Sequence, residues 1–317
     1  MTTRGKFRYL FGPVPSRRLG NSLGIDVVPR KTCTYNCIYC QLGPTSFQTL
    51  TREEYVPVEK VMAELIAFLA ENGRADYLTF SGSGEPTLHS KLGDMIAQTK
   101  QLTRIPVAVL TCGALLSDPH VRADLAQADV VLPSLDAALP KTFHALNRPH
   151  GKLHLSEVIA GLKKFREEYR GQIWLEIMFV KGLNDGAEEI ALLREAIAEI
   201  APDKVQLNTV TRPPAESEAR ALSEAELQVL QATLGPPTEV IAAESRQSSH
   251  AVDQDLVPQL LAMLAQHPLT LTEIGEYLQC KHEIIWWLLH ALIEEGVVEV
   301  RPHLGKKFYV APAVASK

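Results

Sequence analysis

Short apolar runs alternate with helix-like segments through residues 22–210. The runs cover 22–28, 76–81, 106–111, 129–135, 173–180 and 204–209. Each is rich in β-branched or aliphatic residues and ends in small or polar ones, the composition of strands. Between the runs, apolar positions recur every three or four residues. In 58–70, for example, Val61, Leu65, Ile66 and Leu69 fall on one stripe, as on an amphipathic helix. Such alternation predicts an α/β fold on a parallel sheet. Six strands are too few for a closed eight-fold barrel, so the expectation is a partial (β/α)6 barrel over residues 1–245. In sheets of this kind ligands bind at the carboxyl ends of the strands.

The pattern changes near the C-terminus. Residues 242–254 are polar and nearly free of large apolar groups, which marks 246–254 as a linker. Beyond it the chain reads as a short helix, then a second helix opened by a capping box at Thr270 and Glu273. A longer helix follows and stops at Gly296. Two strands, 297–301 and 306–310, complete a hairpin through 302–305. Residues 255–317 are therefore expected to form a small winged helix-turn-helix-like domain. Residues 251–317 hold eight acids and five Lys/Arg, whereas a duplex-binding domain is basic. The helix that would read DNA offers Glu283, Trp286, Trp287 and His290, with no arginine for guanine edges. The domain is expected to dock on the barrel, on a protein substrate or on a second subunit rather than on duplex DNA. Lys306 and Lys307 keep an RNA-backbone contact open.

Composition adds limits. Mean hydropathy is −0.02 over 317 residues, and no apolar run of about 18 residues occurs, so no membrane span is expected. The first ten residues lack the apolar core of a secretory signal. Five cysteines, an odd number, argue against a disulfide framework and for a reducing, cytoplasmic setting. Net charge is −5, yet residues 1–60 carry nine Lys/Arg against four acids. That basic margin suits an anionic substrate, an acidic reductant or nucleic-acid phosphate, or is a solvated face.

The chemistry concentrates in one loop. Cys33, Cys37 and Cys40 are spaced C-x3-C-x2-C, with Tyr39 before the last thiol. Three soft thiolates at this pitch suit one face of an iron–sulfur cube, each iron of which takes a sulfur ligand. Three ligands leave the fourth iron open, which a catalytic cluster needs and a structural one does not. Zinc is the alternative. Structural zinc favours four closed ligands, and no second Cys/His pair of that pitch follows, the next histidine being His89.

The stretch from Phe11-Gly-Pro-Val-Pro-Ser-Arg-Arg to Cys40-Gln-Leu-Gly resembles the radical S-adenosylmethionine (radical SAM) superfamily. Within it, the likeness is to iron–sulfur oxidoreductases grouped with wyosine-type tRNA-modifying enzymes, and it extends over roughly residues 9 to 245. Those enzymes carry further cysteines ahead of the signature, whereas Cys33 is the first here, which separates this chain from wyosine chemistry itself. The resemblance implies a 4Fe–4S cluster on Cys33, Cys37 and Cys40 with S-adenosylmethionine chelating the open iron. An electron, delivered by a flavodoxin- or ferredoxin-like partner, then cleaves the sulfonium to a 5′-deoxyadenosyl radical that abstracts hydrogen from a substrate. A macromolecular substrate, tRNA or protein, is expected. The rival reading is an iron–sulfur transcriptional regulator.

The strand ends supply the remaining candidates. After the second strand comes Gly82-Ser83-Gly84-Glu85, and glycines let a backbone approach a ligand closely. By resemblance Ser83, Gly84 and Glu85 match the glycine–glycine–glutamate motif that holds the methionyl amine. Cys112, where the family usually has Asn, is read first as a small buried hydrophobe and second as a catalytic thiol facing the cavity. Alternation puts Ser134 and Asp136 on one face, toward ribose hydroxyls. Asp136 is also a catalytic candidate, or the cap of a helix at Pro140. Glu176, an acid among aliphatics, is expected to line the barrel as a ligand to cofactor or substrate. Asn184 and Asn208 are further cofactor candidates, with Arg212 beside the adenine. Arg148, His150, Lys152 and His154 form a clamp over the mouth, or an ordinary surface loop.

Overall fold

The computed structural model describes residues 7–241 and 256–311, except 72, 279 and 281. The 246–254 linker lies outside the described residues. All six apolar runs form strands of one sheet: β2 (Gly20–Ile25), β5 (Tyr77–Phe80), β6 (Val107–Thr111), β7 (Val130–Pro133), β8 (Gln172–Phe179) and β9 (Lys204–Thr209). They lie side by side in chain order and run parallel. Two further strands flank them. β1 (Leu10–Ser16) pairs antiparallel with β2, and β10 (Thr238–Val240) pairs parallel with β9, so the sheet has eight strands.

Helices cover the outer face. The expected helix is α1 (Val58–Ala70), followed by α2 (Leu92–Leu102), α3 (Pro119–Leu125), α4 (Pro140–Leu146), α5 (Leu155–Glu168), α6 (Ala187–Ile200) and α7 (Glu224–Leu234). Their apolar faces meet Leu78, Phe80, Val109, Leu175 and Ile177 in one core. Within it Phe165 is fully buried and stacks on Tyr169, with centroids 4.6 Å apart. The opposite sheet face is sealed by a smaller cluster of Leu19, Ala108, Val130, Leu132 and Trp174. Lys204 Nζ lies 4.3 Å from the Trp174 ring centroid, a cation–π contact.

The registers decide where chemistry can sit. Ile25 lies opposite Phe80, Phe80 opposite Val109, Thr111 opposite Pro133 and Phe179 opposite Thr209. The residues after each strand therefore emerge along one rim.

The C-terminal residues form α8 (Leu256–Leu264), α9 (Leu271–Leu278), α10 (His282–Glu294) and an antiparallel hairpin of β11 (Glu299–His303) and β12 (Lys306–Val310). The capping box is present: Thr270 N donates to Glu273 Oε2 at 2.7 Å and Glu273 N to Thr270 Oγ1 at 3.3 Å. Gly296 follows α10 with φ +71°. The turn is shorter than expected. Pro302 belongs to β11, opposite Lys307, and only Leu304 and Gly305 turn the chain, both at positive φ, as a two-residue hairpin requires. This module has its own core, including Leu260, Leu264, Ile274, Ile285, Leu289 and Tyr309.

The module docks on the sheet domain through polar contacts. Arg30 Nη1 donates to Ala265 O and Arg212 Nη1 to Pro268 O. Gln41 Nε2 meets His267 Nδ1 at 2.8 Å, Gln266 Nε2 donates to Ser83 Oγ at 3.4 Å, and His303 Nε2 meets Val210 O at 2.9 Å. Trp286 is 40% exposed, and the side chains of Glu283 and Trp287 lie outside those described.

Phe165→Ala tests the main core. Loss of a fully buried, stacked ring should lower stability by about 3–5 kcal/mol, read as an earlier urea midpoint with an unchanged slope.

Candidate active site

Cys33 ends β3 (Thr32–Cys33), which pairs in parallel with β4 (Phe47–Gln48). The loop that follows is braced from outside by the residues after α4. Asn36 N donates to Asn147 O and Arg148 O at 3.0 and 3.1 Å, and Ile38 N to Leu146 O at 3.0 Å. Cys40 N donates to Cys37 O at 3.2 Å and closes a turn between the last two thiols. All three cysteines are free and half-buried. Lys31 Nζ donates to Cys40 Sγ at 3.0 Å. A hydrogen bond from Cys112 is the main cause lowering the Cys33 pKa, while burial and then Asp136 raise that of Cys37.

Among the described residues no group of three or more His, Cys, Asp or Glu is arranged to hold a single metal ion. The fit for a cluster rests on the donor set. It is all sulfur, comes from one braced loop, has a lysine cation beside one thiol, and opens onto a cavity through Cys33 and Cys40.

The glycine loop is fastened directly to this loop. Lys31 N donates to Ser83 O at 2.6 Å and Glu85 N to Thr32 O at 3.0 Å. Asp26 holds Ser83 by both its backbone N, at 3.1 Å, and its hydroxyl. A Cβ at Gly84 would run into the Thr32 carbonyl oxygen. Glycine is thus required by the neighbouring cluster loop, and Gly84 also lines the cavity. Glu85 is also committed inside the protein. It accepts from Thr87 N at 3.0 Å, Thr87 Oγ1 and Thr111 Oγ1 at 2.6 Å each, and Cys112 N at 2.7 Å. Its carboxylate holds the end of β6 in place.

Other strand ends divide. Ser134 lines the cavity and bridges to Glu176. Asp136 does not accompany it, because β7 ends at Pro133 and alternation ends with it. Asp136 is buried. It accepts from Met178 N at 2.9 Å, Asn147 Nδ2 at 2.7 Å and the Tyr39 hydroxyl, and burial raises its pKa to about 6. It neither lines the cavity nor caps α4; the two amides just before that helix, Ala138 N and Leu139 N, donate to Glu189. Asn184 is fully buried too. Its Oδ1 accepts from Val180 N at 2.8 Å and its Nδ2 donates to Asp136 O and Met178 O, so it braces a loop.

Glu176 does line the cavity, ion-paired with Arg18 and bonded at 2.8 Å to Asn208 Nδ2. Arg18, then the Asn208 bond, holds its pKa below the usual carboxylate range against desolvation. Arg212 pairs with Glu273 at 3.1 Å. Cys112 is half-buried and lines the cavity with Cys33, its sulfur 3.0 Å from Thr34 Oγ1. Cys112 thus packs against the main core and also faces the cavity, since β6 ends at Thr111 and leaves Cys112 at the rim. The 147–154 residues are not a clamp over the mouth. Arg148 pairs with Glu216 at 2.7 Å, His150 N donates to Thr34 O at 2.9 Å, and the segment lies behind the cluster loop.

The cavity holds about 1110 Å³, above the ~300–1,000 Å³ usual for small-molecule pockets. The sheet rim, both loops and Arg17 and Arg18 line one side. Tyr277, Trp286, His303, Leu304, Lys306 and Lys307 of the C-terminal module line the other. Sequence reasoning missed Arg17 and Arg18 as site residues and Asn147 as a brace. All three act across long sequence separations, and only the excess of basic residues near the N-terminus hinted at the arginines.

The sequence profile of the Radical SAM superfamily matches residues 27–197, just over half of the chain. A UPF0026 protein of Methanocaldococcus jannaschii is 31% identical over 309 residues, 95% of each chain. GTPase Obg of Brachyspira hyodysenteriae is 44% identical over 223 residues, 70% of this chain but 33% of its own length. This chain thus spans about a third of that relative. Among solved structures, TYW1 with a lysine–pyruvate adduct bound has a TM-score of 0.54 at 16% identity, over 68% of this chain and 74% of that one. At that identity the likeness is one of fold.

Two outcomes are expected from these contacts. Ala at Cys33, Cys37 or Cys40 should abolish the four-iron chromophore after anaerobic reconstitution, whereas Cys112→Ala should retain it. Gly84→Ala should lower iron content as well as cofactor affinity, since the added methyl displaces Thr32 beside Cys33. Iron analysis beside calorimetry with S-adenosylmethionine checks both; full iron loading in Gly84→Ala would contradict the steric account.

Proposed function

The chain belongs to the radical SAM superfamily, and from that premise we propose that it cleaves S-adenosylmethionine reductively at a 4Fe–4S cluster held by Cys33, Cys37 and Cys40. The observation that carries this reading is that two of the three thiols and the Gly82–Glu85 loop face one cavity at the carboxyl ends of parallel strands. When bound, the cluster and cofactor supply the one-electron chemistry that releases a 5′-deoxyadenosyl radical for hydrogen abstraction. The chain's own residues supply position and enclosure. Lys31 Nζ donates to Cys40 Sγ and so orients the last thiol of the loop. Glu85, through Thr111 and Cys112 N, fixes the rim opposite the cluster loop. The Gly82–Glu85 backbone, Ser134 and Glu176 border the space for the cofactor, with Asn208 orienting Glu176 from behind.

The cavity volume leaves room beyond a single small ligand, and a substrate belongs between the partial barrel and the C-terminal module. We read that module as winged-helix-like and as the substrate-side wall. Its hairpin and α10 place His303, Lys306 and Trp286 on the cavity, the surfaces a DNA-binding regulator would turn outward. A macromolecular substrate, RNA or peptide, and a flavodoxin- or ferredoxin-like reductant complete the reading.

Anaerobic, reconstituted protein with dithionite and S-adenosylmethionine should release 5′-deoxyadenosine, and the three cysteine variants should release none. A fully iron-loaded wild-type protein that yields no 5′-deoxyadenosine would overturn the assignment.

A further inference from the structure

One arginine of the cavity wall is held by neutral acceptors and not by an ion pair. Three arginines gather where the β1–β2 turn meets β8, β9 and the C-terminal module. Arg18 has Glu176 and Arg212 has Glu273. Arg17 makes no ion-pair contact with a described carboxylate: Glu176 and Glu273 act on it from nearby, but each is held by another arginine. Its Nη1 donates to Ile241 O at 3.0 Å and to Asn208 Oδ1 at 3.4 Å, both neutral acceptors. Its Nε and Nη2 make no hydrogen bond to a described residue, so one edge of the guanidinium fork is open. Arg17 lines the cavity, as does Tyr277 of α9, whose ionisation feels the charge of Arg17.

Arg17 is exposed, so the free edge of its guanidinium is open to the cavity. A strut needs no charge: a neutral side chain could fill the same space. An open guanidinium edge matches the paired oxygens of a carboxylate or phosphate. Its partners Asn208 and Ile241 hold the arginine at the β9–β10 end of the sheet, near the Arg212–Glu273 pair that joins the sheet domain to the module.

We propose that Arg17 forms an oxyanion-binding subsite that anchors a carboxylate or phosphate group of the substrate between the sheet and the C-terminal module, whose Tyr277 lines the same cavity. This rests on reading the cavity as the active cavity, but it concerns the substrate and not the cofactor.

The test uses the full-length reconstituted protein, without S-adenosylmethionine, titrated with sodium phosphate or sodium acetate against sodium chloride at constant ionic strength. Tryptophan fluorescence and the thermal midpoint report binding, since a ligand of the folded state raises the midpoint. At least one of the two anions should bind beyond the chloride control. Phosphate alone would identify a phosphorylated substrate group, and acetate a carboxylate. Arg17→Met should remove the response. Arg17→Lys, which keeps the charge but not the fork, should weaken it about tenfold. If Arg17→Met fails to load iron, Arg17→Lys decides. Unchanged anion binding in either folded variant, or no anion response in the wild type, would overturn the proposal. Competitive displacement of the anion by S-adenosylmethionine would overturn it too, by giving Arg17 to the cofactor. Because binding is read without turnover, the result stands apart from whether 5′-deoxyadenosine is released.

Discussion

The site depends on a contact between the two ends of an open sheet. β1 and β2 form one edge, β9 and β10 the other. The β1–β2 turn spans the gap by placing Arg18 on Glu176 and Arg17 on Asn208 and Ile241. Without that span the strand ends would line an open trough. With it, they surround a cavity. The Arg18 and Glu176 side chains are only 15% and 14% exposed. Removing one partner would leave the other charge enclosed and unpaired, a larger penalty than the pair's own net contribution.

Much of the fold was legible because parallel strands covered by helices on one face and an apolar plug on the other read as continuous apolar runs. The two edge strands were not. β1 contains Pro13 and Pro15 and an irregular register between Phe11 and Val14, and β10 has three residues. Edge strands tolerate proline because one side of the backbone needs no partner, and that tolerance hides them. In the site, the cysteine spacing and the glycine loop could be read because each is local. Asp136 was misplaced because period-two alternation was carried past the last residue of a strand, and Asn184 because a loop residue at the rim turns its side chain inward to brace the loop. Gly84 carries a second constraint that no local pattern shows: a carbonyl of the adjacent loop excludes a side chain there. The partners of Arg17 and Arg18 lie 158 to 224 positions away, where no local pattern reaches.

Polar groups in this site are used twice. Asn208 receives Arg17 on its oxygen and binds Glu176 with its nitrogen. Asn147 reaches Asp136 at 2.7 Å and Cys37 at 3.6 Å. Glu85 fastens Thr87 on its own loop and Thr111 and Cys112 on the next. Such shared groups act as a network, so their deletion effects will not add.

The turn between α8 and α9 touches both halves of the cofactor region. His267 meets Gln41, the residue after Cys40, and Gln266 meets Ser83 in the glycine loop. In the language of thermodynamic linkage, this makes docking of the module and ordering of the two loops one coupled equilibrium. Coupling of this kind is reciprocal: to the extent that the docked turn favours the ordered loops, a ligand that orders them favours docking by the same factor. A molecule held at the seam and a molecule held at the rim would then report on each other without touching.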